Sequence, residues 1–164
     1  MEIIQKNNKI IAMILRKNYK NKGIKFFTPT SFSQQVAQMS YNKGKIIDCE
    51  EIPIKHSFAD GIYVRQMDMK KDTVVVGAIH KHLHVWFLLV GDVTIATEDT
   101  TEDYIAPCYI VSTPGVKRVI YSNEDSIFVN VHKNPTNTKD LDKLEKEIVA
   151  LNYKEYEEYI NKKK

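Results

Sequence analysis

The sequence predicts a single all-β domain, a barrel with one helix packed outside it. Three observations lead there. Short β-branched and aromatic runs recur from Ile62 to His132. Gly and Pro turns punctuate them about every ten residues, a spacing that favours a sandwich or barrel. A helical repeat is confined to the end, where Leu141, Leu144, Ile148 and Leu151 recur at three- and four-residue steps.

Taken in order, Ile10 to Arg16 reads as a strand or a short helix, and Asn18 to Gly23 is polar and turn-like. Phe26-Phe27-Thr28-Pro29 reads as a strand end stopped by proline. Gln34 to Ser40 alternates loosely, Asn42-Lys43-Gly44 is a hairpin signal, and Lys45 to Ile47 resumes a strand. After Pro53 and the Ala59-Asp60-Gly61 turn, Ile62 to Met69 alternates, with Tyr63, Arg65 and Met67 on one face. Thr73 to Gly77 and Ile79 to Val90 follow the Lys70-Lys71-Asp72 turn; Gly91-Asp92 then turns into Val93 to Thr97. Beyond the polar Glu98 to Glu102 loop come Tyr104 to Ala106, Tyr109 to Ser112, Val116 to Tyr121 and Ser126 to His132. The C-terminal helix is expected over roughly 139–160, with Thr138 as N-cap, Asp140 and Asp142 in its first turn, and the Glu145 to Glu158 charges on its outer side. The expected organisation is one domain over 1–164: N-terminal strands in 1–54, a β core in 55–133 and the helix in 138–161.

With 164 residues the chain is long enough for one well-filled core and short for two. The net charge of +3 owes much to Lys162, Lys163 and Lys164, which is not the concentrated basic face of a nucleic-acid binder. Cys49 and Cys108 are too few for a disulfide framework or a cysteine zinc site. The N-terminus lacks the pattern of a signal peptide, and no apolar run has the length of a membrane span. The expectation is a soluble cytoplasmic protein with no nucleic-acid polymer or membrane as partner. No nucleophile elbow, phosphate-binding loop or dinucleotide glycine pattern is present.

The chemistry concentrates in Gly77-Ala78-Ile79-His80-Lys81-His82-Leu83-His84-Val85-Trp86. Alternation on a strand would turn His80, His82 and His84 to one face, where three imidazoles need a metal, a polar ligand or water. On an extended strand His80 and His84 stand roughly 13 Å apart, at about 3.3 Å per residue, so one ion takes all three only if the strand bends. The set expected is two from this run plus His132, which shares a face with Phe128 and Asn130 in the last strand. The bland alternative is a hydrogen-bonded polar lining without metal. Tyr63, Trp86, Tyr104, Tyr109 and Tyr121 could stack a ring, although each more often serves a core or interface.

These residues resemble the cupin superfamily of small double-stranded jelly rolls. Its first motif, G-x5-H-x-H-x3-E-x6-G, closes on Gly91, placing His84 at the Glu position, His80 at the second His and Ala78 at the first. Its second, P-x-G-x2-H-x3-N, meets Thr113-Pro114-Gly115-Val116-Lys117-Arg118, with Arg118 where a metal-binding His would stand. Residues 56–150 are similar to cupin-like proteins common in bacteriophages and prophages, on His56-Ser57-Phe58-Ala59-Asp60-Gly61-Ile62-Tyr63-Val64-Arg65, the histidine run, Glu124-Asp125-Ser126 and His132. Gly23-Ile24-Lys25-Phe26-Phe27-Thr28-Pro29 with Ser33-Gln34-Gln35 resembles the opening of sugar-biosynthesis cupins, a likeness that breaks off at Ile47-Asp48-Cys49-Glu50.

The resemblance implies a jelly-roll barrel whose cavity takes His80, His84 and His132 as ligands for Zn, Fe, Mn or Ni. Arg118, Lys117, His82, Tyr121 and Trp86 would then contact a ligand. By motif alignment Arg118, not Lys117, points inward; its guanidinium beside imidazoles disfavours a cation there and favours an anion. The alternative for Arg118 is a rim ion pair with Glu98, Glu124 or Asp125. Three functions stand open: a binder of a small anion (nucleotide, sugar phosphate or carboxylate) that sequesters a nucleotide signal in the host cytoplasm; a metal-dependent isomerase, dioxygenase or hydrolase; and a virion or assembly component. A homo-oligomer, first a dimer, is expected.

Overall fold

The computed structural model describes residues 25–28, 37–42, 45–49, 52–97 and 99–163. The expectations for Ile10–Arg16, Asn18–Gly23 and the Lys43-Gly44 turn lie outside these residues.

Two opposed sheets form the body. One is seven-stranded, in the order β10 (Thr101–Ile105), β9 (Asp92–Ala96), β12 (Val119–Ser122), β6 (Thr73–Val76), β1 (Lys25–Thr28), β2 (Ala37–Asn42), β3 (Lys45–Cys49). The other is five-stranded, in the order β11 (Cys108–Ser112), β8 (His84–Val90), β13 (Ser126–Lys133), β5 (Ile62–Met69), β4 (Ile54–Ala59). Pairing is antiparallel except between β1 and β6, which run parallel. Consecutive strands such as β5 and β6, or β8 and β9, fall in different sheets, the crossing pattern of a jelly roll. The chain is an all-β double-stranded barrel with helices at its C-terminal end, as the turn spacing led us to expect.

Gly91 makes the sharp passage from β8 to β9. Its φ is +91°, and a Cβ there would sit 2.5 Å from the Asp125 carbonyl oxygen, so only glycine fits.

Period-two alternation decides what faces inward. On β5 the buried side chains are Tyr63, Arg65, Met67 and Met69; on β8 they are His84, Trp86 and Leu88; on β13 they are Ser126, Phe128, Asn130 and His132 on one face, with Val129 buried on the other. Register aligns these rows: Phe128 lies opposite Met67 and Leu88, Asn130 opposite Arg65 and Trp86, His132 opposite Tyr63. The barrel interior is therefore graded. One end is hydrocarbon, where Met67, Met69, Leu88 and Phe128 pack on Val75, Val93, Ile95 and Ile120 of the facing sheet. The other end carries imidazole, guanidinium and phenol.

The C-terminal helix is broken in two. α1 (Leu141–Ile148) is capped by Asp140, whose carboxylate accepts from the Asp142 and Lys143 amides; Thr138, the expected cap, instead accepts from the Asp140 amide through its hydroxyl. β14 (Val149–Ala150) follows and pairs antiparallel with β7 (Ile79–His80). α2 (Tyr153–Asn161) restarts with Asn152 as N-cap. The apolar spacing carries across the break, so periodicity alone could not show it. Leu144, Ile148 and Val149 pack on Tyr63, closing the polar end of the barrel.

Candidate metal and anion site

The histidine run is not one strand. β7 ends at His80, β8 starts at His84, and Lys81 to Leu83 form a bend. The bend shortens the separation expected of an extended strand: the His80 and His84 ring centroids are 4.1 Å apart. From β13, His132 brings its ring to 5.1 Å from His80 and 4.8 Å from His84. One nitrogen from each of the three lies within 4.8 Å of the others.

His82 is the correction within the run. The bend turns it away from the barrel toward the C-terminal helices, where Nε2 meets the Glu147 carbonyl at 2.9 Å and Nδ1 meets the Tyr159 hydroxyl at 3.2 Å. It lines neither cavity and serves as a clasp.

Burial holds all three cavity imidazoles neutral. Burial is the main force pushing His80 and His132 well below the ordinary histidine range, with repulsion among the imidazoles and from Arg65 adding to it. His84 falls to about 4, mostly through burial, opposed by its contact with the His82 carbonyl and reinforced by Arg118. Neutral imidazole is the form that ligates metal. The donor set fits an ion by a second observation: His80 Nδ1 and His84 Nε2 are buried without any hydrogen-bond partner. His84 Nδ1 faces the His82 carbonyl at 3.4 Å, an arrangement that would leave the Nε2 lone pair free.

The cavity beside them measures about 50 Å³; His80 and His132 line it, together with Arg65, Trp86, Arg118, Asn130 and Glu145. Sequence reading missed Arg65 and Glu145. For Arg65 the signal was present: a guanidinium alternating with Tyr63 and Met67 on the inner face of a strand. Its Nη1 lies 3.3 Å from the Met67 sulfur; burial pushes its guanidinium below the ordinary arginine range, opposed by Tyr63 and Glu145. Glu145 was expected on the outer side of the helix. It sits one turn beyond Leu141 and beside Leu144, on the face that α1 turns to the barrel.

Arg118 is half-buried, and its Nη2 donates to the Ser112 hydroxyl. The rim pair expected with Glu124 or Asp125 does not form, because those carboxylates bind Lys71 and Lys70; Glu98 lies outside the described residues. Residues 116–118 precede β12 as irregular chain, so strand alternation does not apply. Lys117 and Arg118 line the same second cavity, about 380 Å³ in volume. Arg118 and Trp86 line both cavities. Trp86 is buried, stacked on Phe128 and edge-on to Tyr104, and its Nε1–H has no acceptor. Tyr121 lies outside both cavities: it is fully buried, with its hydroxyl bonded to Asp72 at 2.5 Å beyond the hydrocarbon end. His56 stands on β4 and bonds the Tyr63 hydroxyl at 2.7 Å.

No protein-family model matches the sequence, and no curated protein is similar to it. Similar solved structures are cupins and proteins of related shape. A cupin 2 conserved barrel domain protein from Salinispora arenicola CNS-205 is 10% identical over 52% of this chain and 77% of that one, with a TM-score of 0.45. KdgF from Halomonas sp. is 12% identical over 54% and 81%, with a TM-score of 0.46. The Clostridium difficile EutQ protein is 15% identical over 52% and 69%, with a TM-score of 0.44. The fold assignment rests on the strand order itself, and the site on its own side chains. Among the described residues no helix is long and apolar enough to cross a membrane.

Proposed function

We propose that the protein holds a divalent transition metal through His80, His84 and His132 and uses it, together with Arg118, to bind a small anionic molecule. The observation that carries this reading is the convergence of three neutral imidazoles, from β7, β8 and β13, within 4.8 Å. Two of their nitrogens lack any partner, a cost that coordination would remove. An ion held by three imidazoles keeps open positions and polarises an oxygen bound there.

Charge supports the anionic half. Arg65 and Arg118 both repel positive charge at the imidazoles, and Glu145 brings one carboxylate to the cavity wall. A dication added to two guanidiniums and one carboxylate leaves an excess of positive charge. An anionic co-ligand would neutralise it. The phage or prophage setting belongs to this reading on the strength of the sequence resemblance; the cytoplasmic location and the homodimer enter it as sequence-based expectations.

The test is metal analysis with native mass spectrometry of the protein purified from cells. One zinc, iron, manganese or nickel per chain, removed by a chelator and absent from His84→Ala, is the expected result. A folded, metal-free protein that takes up none of these ions would overturn the reading. A turnover lost with the metal would make the protein an enzyme; a co-purifying anion without turnover would make it a binder.

A further inference from the structure

The second cavity is an open cleft between β9, β10 and the 113–118 segment. We propose that it is a subsite for a phosphorylated monosaccharide, with Lys117 and Arg118 on the phosphate and Asp99 and Glu102 on sugar hydroxyls. The proposal rests on the reading of Arg118 as an anion contact and names the anion's class.

Lys117 is the first ground. It is only 7% exposed and lines the cleft. Among the described residues it has neither an ion pair nor a hydrogen bond, and burial alone pushes its ammonium below the ordinary lysine range. The stem is buried while the Nζ is not sealed off, so an unpaired ammonium is presented to the cleft. Arg118, next in the chain, bonds only the neutral hydroxyl of Ser112 and pairs with no carboxylate among the described residues. Two adjacent cations that form no ion pair among the described residues match a group bearing about two negative charges, as a phosphate monoester does near pH 7. Arginine supplies the forked contact and lysine the point charge.

Trp86 is the second. Its indole lines the cleft, is 2% exposed, and carries an Nε1–H with no acceptor. A ligand oxygen would satisfy it. The cleft is also lined by Thr97, Asp99, Thr100 and Glu102, the last accepting from the Tyr104 hydroxyl. Carboxylates accept hydrogen bonds from hydroxyls and repel a second anionic group, which disfavours polyphosphates there. The volume, about 380 Å³, lies near the small end of ligand sites and suits a single ring. A nucleobase is disfavoured because Trp86 is already stacked on Phe128 at 5.0 Å and met edge-on by Tyr104 at 5.1 Å.

Trp86 is the single tryptophan of the chain, so intrinsic fluorescence reports on the cleft directly. The zinc-loaded full chain is titrated with glucose 6-phosphate, fructose 6-phosphate, ribose 5-phosphate, glucose, inorganic phosphate and AMP. At least one sugar phosphate should bind at least about tenfold tighter than inorganic phosphate and than glucose. Lys117→Gln should weaken it about tenfold or more, the loss of one charge-assisted bond. Glu102→Gln should weaken the sugar phosphate but not inorganic phosphate. The proposal fails if no sugar phosphate exceeds inorganic phosphate, if AMP binds tightest, or if folded Lys117→Gln binds as the parent does. Zinc content of the same samples separates the two readings: full zinc with no sugar-phosphate affinity sinks the subsite and leaves the metal reading standing. Failure of the folded protein to hold zinc, iron, manganese or nickel sinks the metal reading instead.

Discussion

Acidifying the metal-free protein from about pH 7.5 to about pH 5 should destabilise it through its buried imidazoles. His84 sets the magnitude. Its folded pKa is about 4, against 6.5 for an unperturbed histidine. Below pH 6.5 the unfolded chain takes up a proton that the folded one refuses. Stability present above that value is therefore lost as the pH falls toward 4. At pH 5 the unfolded ring is about 97% protonated and the folded ring about a tenth, a loss of about 2 kcal/mol from His84 alone. The full loss, reached below the folded value, is about 3.4 kcal/mol. His80 and His132 are also held well below the ordinary histidine range by burial and act in the same direction. Urea denaturation of the parent and of His84→Gln at both pH values isolates the effect from the carboxylates. The variant should lose about 2 kcal/mol less than the parent over the same interval. Equal losses in the two proteins would refute the claim that a buried neutral imidazole stands at position 84.

The remaining expectations concern the metal, the anion and the packing that encloses them. Zinc at about one hundred times its dissociation constant should raise the unfolding free energy by about 2.7 kcal/mol; His82→Ala should keep the gain and His84→Ala should lose it, read by thermal denaturation with and without chelator. Arg118→Ala should weaken a bound anion by about 1.5–3 kcal/mol, measured by calorimetry on the metal-loaded protein. Leu144→Ala removes a fully buried side chain packed on Tyr63 and Ile148 and should cost about 2–5 kcal/mol in urea denaturation, a cost below 1 kcal/mol counting against the closure by α1. Gly115 has φ +83° and a virtual Cβ 2.8 Å from the Tyr156 ring, so Gly115→Ala should cost about 1–3 kcal/mol, with the steric part recovered in the double variant carrying Tyr156→Ala.

What the sequence revealed followed local rules. Alternation in Ile62–Met69 and Ser126–His132 foretold which side chains face inward, because a half-buried strand enforces period two. His132 could be grouped with the histidine run on that ground. The bend at Lys81–Leu83 could not be read, since no glycine or proline marks it; hydrogen bonds from His82 to α1 and α2 hold it from outside the strand. Glu145 escaped for a related reason. A charge on an amphipathic helix is assigned to solvent by default, and only the packing of Leu144 and Ile148 on Tyr63 turns it to the cavity. Lys117 is expected among the ligand contacts, but a strand rule that irregular chain does not obey points it away from the barrel.

The two-residue bridge between Val149–Ala150 and Ile79–His80 also ties the end of the chain to the strand that carries one of the three imidazoles. A chain truncated before residue 141 would keep all three donor side chains and lose the Leu144, Ile148 and Val149 packing on Tyr63. Such a truncation separates the supply of donor atoms from the wall that holds them in place.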